Sequence, residues 1–243
     1  MNLMTSSTIK TPNFSTNVFI EKSATKEFAK NIQDKFKELS TIYDVGKVKN
    51  IVILSEADAQ TIKNLAGIDA EDKELLMDYV NDDAKDAYGF YSKKAQSFVF
   101  IEKNHERKDK SLEGSIGEQG ADTLTHEFGH LFGNEKSKEA DFRMAYLNDL
   151  QDIQEQLEKN PNAKIGDSDM TYKEALKYFE HYMEGVDFSD GIDAKDITTT
   201  GAKENYAEAF SVLNDGFENE SNFIFAELFS NSMDQVLKDC STN

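Results

Sequence analysis

His126-Glu127-Phe128-Gly129-His130 restricts this chain more than any other five residues in it. At about 100° per residue, positions four apart differ by only about 40° around a helix, so both imidazoles leave the same face. With Leu124 as origin, Phe128 falls at about 40° and Leu131 at about −20°, while His126 and His130 fall at about 200° and about 240°. A helix here buries one side in a core and offers two histidines on the other. Its predicted span is Glu118–Phe132, with Gly133 as the C-terminal cap.

Around this helix the hydrophobic pattern changes character along the chain. Phe28, Ile32, Phe36 and Leu39 mark one face of an amphipathic helix over Thr25–Ser40. Ile51–Leu54 is a short continuous apolar run and reads as a buried strand. Helices are predicted near Glu56–Leu65 and Asp69–Tyr79. The aromatic runs Tyr88–Tyr91 and Ser97–Ile101, either side of a polar turn, predict a hairpin, and Asn104–Gly120 reads as a loop. Beyond Gly133, Phe142, Tyr146, Leu150, Ile153 and Leu157 mark a long helix closed by Asn160-Pro161. Thr171-x-x-Glu174 is a capping box opening a helix that stops near Gly185. Val186–Lys203 reads as an acidic loop, and the last helices fall near Glu204–Asn214 and Ser221–Lys238. The class is α+β, a small N-terminal sheet with its hairpin followed by a helical C-terminal half. Residues 1–20, rich in Ser, Thr and Asn, read as flexible, and 21–243 as a single domain.

Charge removes whole classes of function. The 243 residues hold 27 Lys+Arg against 46 Asp+Glu, a net −19, and the only arginines are Arg107 and Arg143. Nucleic-acid binding and docking on anionic membranes both need a basic footprint. An acidic field suits a basic partner or substrate instead. The lone Cys240 excludes a disulfide framework and any cysteine-built zinc site. No apolar run approaches the roughly 18–20 residues of a membrane span. The N-terminus lacks a basic segment followed by an apolar one, so no conventional signal peptide is expected. The expected locations are export by a dedicated machine or the cytoplasm. Asp187, Asp190, Asp193 and Asp196 around Gly191 fail as a calcium loop, because Val186 and Phe188 stand where oxygen ligands are required.

HExxH is a metalloprotease signature: two histidines on one helix face hold an ion, and the glutamate beside them reaches its water without ligating. Catalytic zinc takes three protein ligands and leaves a position open. Extending the motif to HExxHxxGxxH places Lys136 at the third-histidine position, and an ammonium cannot ligate at neutral pH. A carboxylate from a later helix is the usual alternative. Glu204-Asn205-Tyr206-Ala207-Glu208-Ala209-Phe210 is the leading candidate, with two glutamates four apart among apolar residues. One can ligate while the other accepts a hydrogen bond from the free N–H of a ligating imidazole. Glu204 leads. Glu208 competes, and so does Glu227, because Phe225–Phe229 echoes Tyr206–Phe210. His105, in a charged loop, and His181, on an amphipathic helix, are expected to face solvent.

Taken together, His126–His130 and Glu204-x-x-Ala207-Glu208-Ala209-Phe210 resemble the catalytic domain of anthrax lethal factor and its smaller relatives, among them secreted clostridial proline-specific endopeptidases. The resemblance implies a zincin-like fold and one Zn2+ per chain, held by His126, His130 and Glu204. It makes Glu208 the support behind a ligand and Glu127 the general base. It also implies an extended protein or peptide substrate, paired along an edge strand for which Ser97–Ile101 is the matching position. Residues 134–203 become a helical and loop insertion between the two motifs. The family's oxyanion-stabilising tyrosine, seven residues before the ligand glutamate, is Ile197 here. The implied activity is that of a zinc-dependent endopeptidase of effector or toxin type. The alternative is a non-catalytic binding module on a zincin scaffold, with zinc structural or absent. Ile197 favours that alternative, and the intact Glu127 opposes it.

Overall fold

The computed structural model describes residues 4–82, 87–107, 116–217 and 219–242. The chain forms two compact units, Met1–Leu131 and Phe132–Asn243. The first carries all five strands, and the chain is α+β.

Strands β1 (Met4–Lys10) and β2 (Ser15–Glu21) form an antiparallel pair where a flexible terminus was expected. Six Ser and Thr side chains disguise them in the sequence. Helix α1 (Lys26–Ile42) follows, capped by the Thr25 hydroxyl, with Phe28, Ile32, Phe36 and Leu39 buried as their spacing predicts. Next come β3 (Asn50–Leu54), α2 (Ala59–Lys63) and α3 (Ala70–Asp82). Strands β4 (Gly89–Ser92) and β5 (Ser97–Ile101) form the predicted hairpin. The strand order is β1-β2-β3-β5-β4, with β2, β3 and β5 mutually parallel where they pair. Ser97–Ile101 is therefore not the edge expected of it. All five of its residues are buried, between β3 on one side and β4 on the other. The edge on this side is β4, Gly89–Ser92. The uninterrupted apolar run Phe98–Ile101 is what an interior strand, covered on both faces, requires.

One face of the sheet packs Val52, Leu54 and Val99 against Ile62 of α2, Leu65 of the connection that follows it, and Leu76 and Val80 of α3. Phe98 turns to the other face and meets Phe36 of α1 edge-on, with centroids 6.1 Å apart. Part of the segment expected to be a loop after β5 is helix α4 (Glu102–Arg107); the middle of that segment lies outside the described residues. Helix α5 (Ile116–Gly133) carries the HExxH residues. It lies so near α1 that a Cβ on Gly120 would come within 2.6 Å of the Phe28 ring.

The second unit contains α6 (Ala140–Lys159), α7 (Tyr172–Tyr178), α8 (Thr199–Asp215), α9 (Glu220–Leu228) and α10 (Ser230–Ser241). The Thr171 capping box forms as predicted. The acidic loop before α8 is fastened to α6: Arg143 donates to the Ile197 carbonyl, Gln151 to that of Ile192, and Gln154 to that of Asp190. The final helix, expected to be continuous, breaks at Phe229. Asp149 of α6 causes this, accepting bonds from the backbone N–H groups of Asn231 and Ser232 and from both their side chains. A carboxylate satisfying the free donors of a first turn creates a new helix start. No helix among the described residues is long and apolar enough to cross a membrane.

Candidate metal centre

Helix α5 realises the face pattern read from its sequence. Leu124 and Phe128 are fully buried, and Phe128 packs 6.3 Å from Phe36. On the other side His126 and His130 are half-buried, their rings 4.9 Å apart and nearly perpendicular. Glu127 is half-buried on the flank. Gly133 is the last helical residue and has no positive φ, so the αL cap expected of it is absent. Its role is steric: a Cβ there would stand 2.1 Å from Cδ1 of Tyr206. The neighbouring Phe132 packs on Phe210, with centroids 5.2 Å apart. Lys136, rejected as a ligand, lies over the Phe132 ring and donates to the Asp239 carbonyl.

His105 departs from expectation. It is 3% exposed, enclosed by Phe28 and Tyr88. Its Nδ1 lies 3.0 Å from the Ile101 carbonyl and its Nε2 3.0 Å from the Thr123 hydroxyl. A carbonyl only accepts, so Nδ1 carries the proton and, in the neutral ring, Nε2 accepts from Thr123. The imidazole thereby ties the end of β5 to α5 one turn before His126. Sequence spacing cannot reveal this, because the partners that bury His105 come from three other segments.

Glu204 and Glu208 sit half-buried on α8, either side of the buried residues 205–207, with Ala209 and Phe210 buried beyond. Tyr206 donates to Asp239 at 2.8 Å, and burial raises its hydroxyl pKa. His181, whose expected exposure is correct, nonetheless reaches the site: its Nε2 lies 3.1 Å from Oε2 of Glu204. The next residue, Tyr182, donates to Glu208. Burial first, and then that carboxylate, hold its hydroxyl well above the usual tyrosine range. The turn carrying both is the 3-10 helix Glu180–Met183. Sequence reading missed this contact, since nothing local links His181 to a helix that begins at Thr199. Ile197 is buried, and its carbonyl accepts from Arg143.

Among the described residues, His126, His130 and Glu204 form a group that could hold a metal ion, with one ligand atom from each and all three atoms within 4.8 Å of one another. Glu208 and Glu227, the competing carboxylates, are not in it. Glu227 instead lies near Gly166 and Tyr172. Two imidazoles and a carboxylate bonded to one tetrahedral ion at about 2.0–2.1 Å would be spaced about 3.3 Å apart. Compared with protein-family models, curated proteins and solved structures, the chain matches none.

Proposed function

We propose that this protein is a zinc-dependent endopeptidase built on a zincin-like fold. The observation that carries the reading is the His126, His130 and Glu204 group, since a donor set of three with half-buried members is what catalytic zinc takes. When bound, the metal supplies Lewis acidity, polarising a scissile carbonyl and lowering the pKa of water from about 15.7 toward roughly 7. Glu127, beside the ligands on α5, serves as general base and then returns the proton to the leaving amine. Glu208 supports the site from one turn further along α8. The substrate is an extended protein or peptide segment lying along β4. In the β4–β5 register Tyr88 accepts from Ile101, so the backbone groups of Gly89 and Tyr91 point away from β5. The net charge of −19 supports a basic segment as target.

Ile197 supports a second reading, a non-catalytic binding module. The resembled family has a tyrosine there, and the buried isoleucine has no donor to offer an oxyanion. Metal analysis combined with a peptide-library assay separates the two. One zinc per chain, with cleavage abolished in Glu127→Ala, is the result expected of the enzyme. Zinc-loaded protein that cleaves no peptide and no protein in a cell extract would establish the binding module instead.

A further inference from the structure

The Glu180–Met183 turn places consecutive side chains on the two glutamates of α8, His181 on Glu204 and Tyr182 on Glu208. A carboxylate that gives one oxygen to a metal keeps a second oxygen and three rotatable bonds, so it needs an outside donor to hold its orientation. His181 is such a donor, because a carboxylate oxygen only accepts and Nε2 must supply the hydrogen. His181 does not belong to the metal-binding group itself, which leaves three protein ligands and an open position. We propose that this turn is a positioning device for the metal ligand: His181 holds the Glu204 carboxylate in its ligating orientation, while Tyr182 anchors the same helix through Glu208. The inference rests on the metal-centre reading above and adds to it a role for His181 that the HExxH and ExxxE motifs do not contain.

The test is a zinc titration of the full-length apoprotein against a chromophoric chelator, with the parent, His181→Ala and His181→Gln. Outer partners of metal ligands are worth about 10–100-fold in affinity, so His181→Ala should weaken zinc binding by about that factor. His181→Gln, which keeps an N–H donor, should recover most of the loss. The His181 side chain is 61% exposed, so the melting temperature of the apo variant should match the parent's. Peptide hydrolysis by His181→Ala should return when zinc is raised to saturation. Parent-like zinc affinity in His181→Ala would overturn the inference while leaving the metal centre intact. So would a failure of the glutamine variant to rescue, or hydrolysis that saturating zinc does not restore. A parent protein that binds no zinc would remove the metal centre and this inference with it.

Discussion

Replacing Gly133 with alanine tests how α5 is seated. The residue is helical, so backbone conformation favours the change, and alanine in place of glycine within a helix stabilises by about 1 kcal/mol. Sterics oppose it. The added Cβ would lie 2.1 Å from Cδ1 and 2.4 Å from Cε1 of Tyr206, against an ordinary carbon contact of about 3.5–4.0 Å. The ring cannot retreat cheaply. It is fully buried, packs edge-on against Phe142 with centroids 4.8 Å apart, and is anchored by its bond to Asp239. Moving it loses a charge-assisted hydrogen bond of about 1.5–3 kcal/mol and adds overpacking of about 1–3 kcal/mol. After the helix gain, the net expectation is a destabilisation of roughly 1.5–5 kcal/mol, or about 3–20 °C in Tm for a chain of this size. The assay is thermal and denaturant unfolding of Gly133→Ala beside Gly46→Ala, where nothing lies within 4 Å of the added atom. In a Tyr206→Leu background most of the cost of Gly133→Ala should vanish, because the two changes share one contact. A Gly133→Ala protein as stable as the parent, or more stable, would refute the steric account and return Gly133 to the role of an ordinary helix end.

Glu127→Gln should lower kcat by about 100-fold or more, the scale of a lost general base, while zinc still binds at one per chain. Tyr91→Pro removes a backbone N–H that the β4–β5 ladder does not use; beside Tyr91→Ala, which loses the same ring contact with Phe98, it should raise KM for an extended peptide, and a KM equal to that of Tyr91→Ala would move the substrate off β4. Burial pushes the Asp149 carboxyl up to about 6 against the pull of its hydrogen bonds. The folded state then holds a proton that the unfolded state has released between about pH 4 and 6, so stability falls as pH rises through that window. Asp149→Asn should cancel up to about 3 kcal/mol of that pH dependence, read as the difference between the two unfolding profiles.

What was legible in the sequence follows the range of the forces involved. His126 and His130 could be placed because helical periodicity is local, and Glu204 because its neighbours Tyr206, Ala207, Ala209 and Phe210 announce a buried helix. Thr171 and Glu174 cap each other over three residues, so that helix start was visible too. The failures have distant causes. Strands β1 and β2 look like coil until β2 pairs with β3, about thirty residues on. The unbroken apolar run of Ser97–Ile101 suits an interior strand, but strand order is a property of the whole sheet and no local pattern fixes it. The break between α9 and α10 comes from Asp149, 82 residues before Asn231. His181 meets Glu204 only through the turn that precedes the acidic loop.

The enclosure of His105 has a practical result. With both ring nitrogens occupied and its surface almost wholly covered, it is shielded from an imidazole-modifying reagent such as diethyl pyrocarbonate as long as the fold holds. Of the four histidines, His181 is open and His126 and His130 are half-open. Peptide mapping after modification would therefore carry its own calibration within each molecule: His105 silent for folding, His181 reactive for reagent, and the loss of labelling at His126 and His130 on adding zinc as a direct record of occupancy.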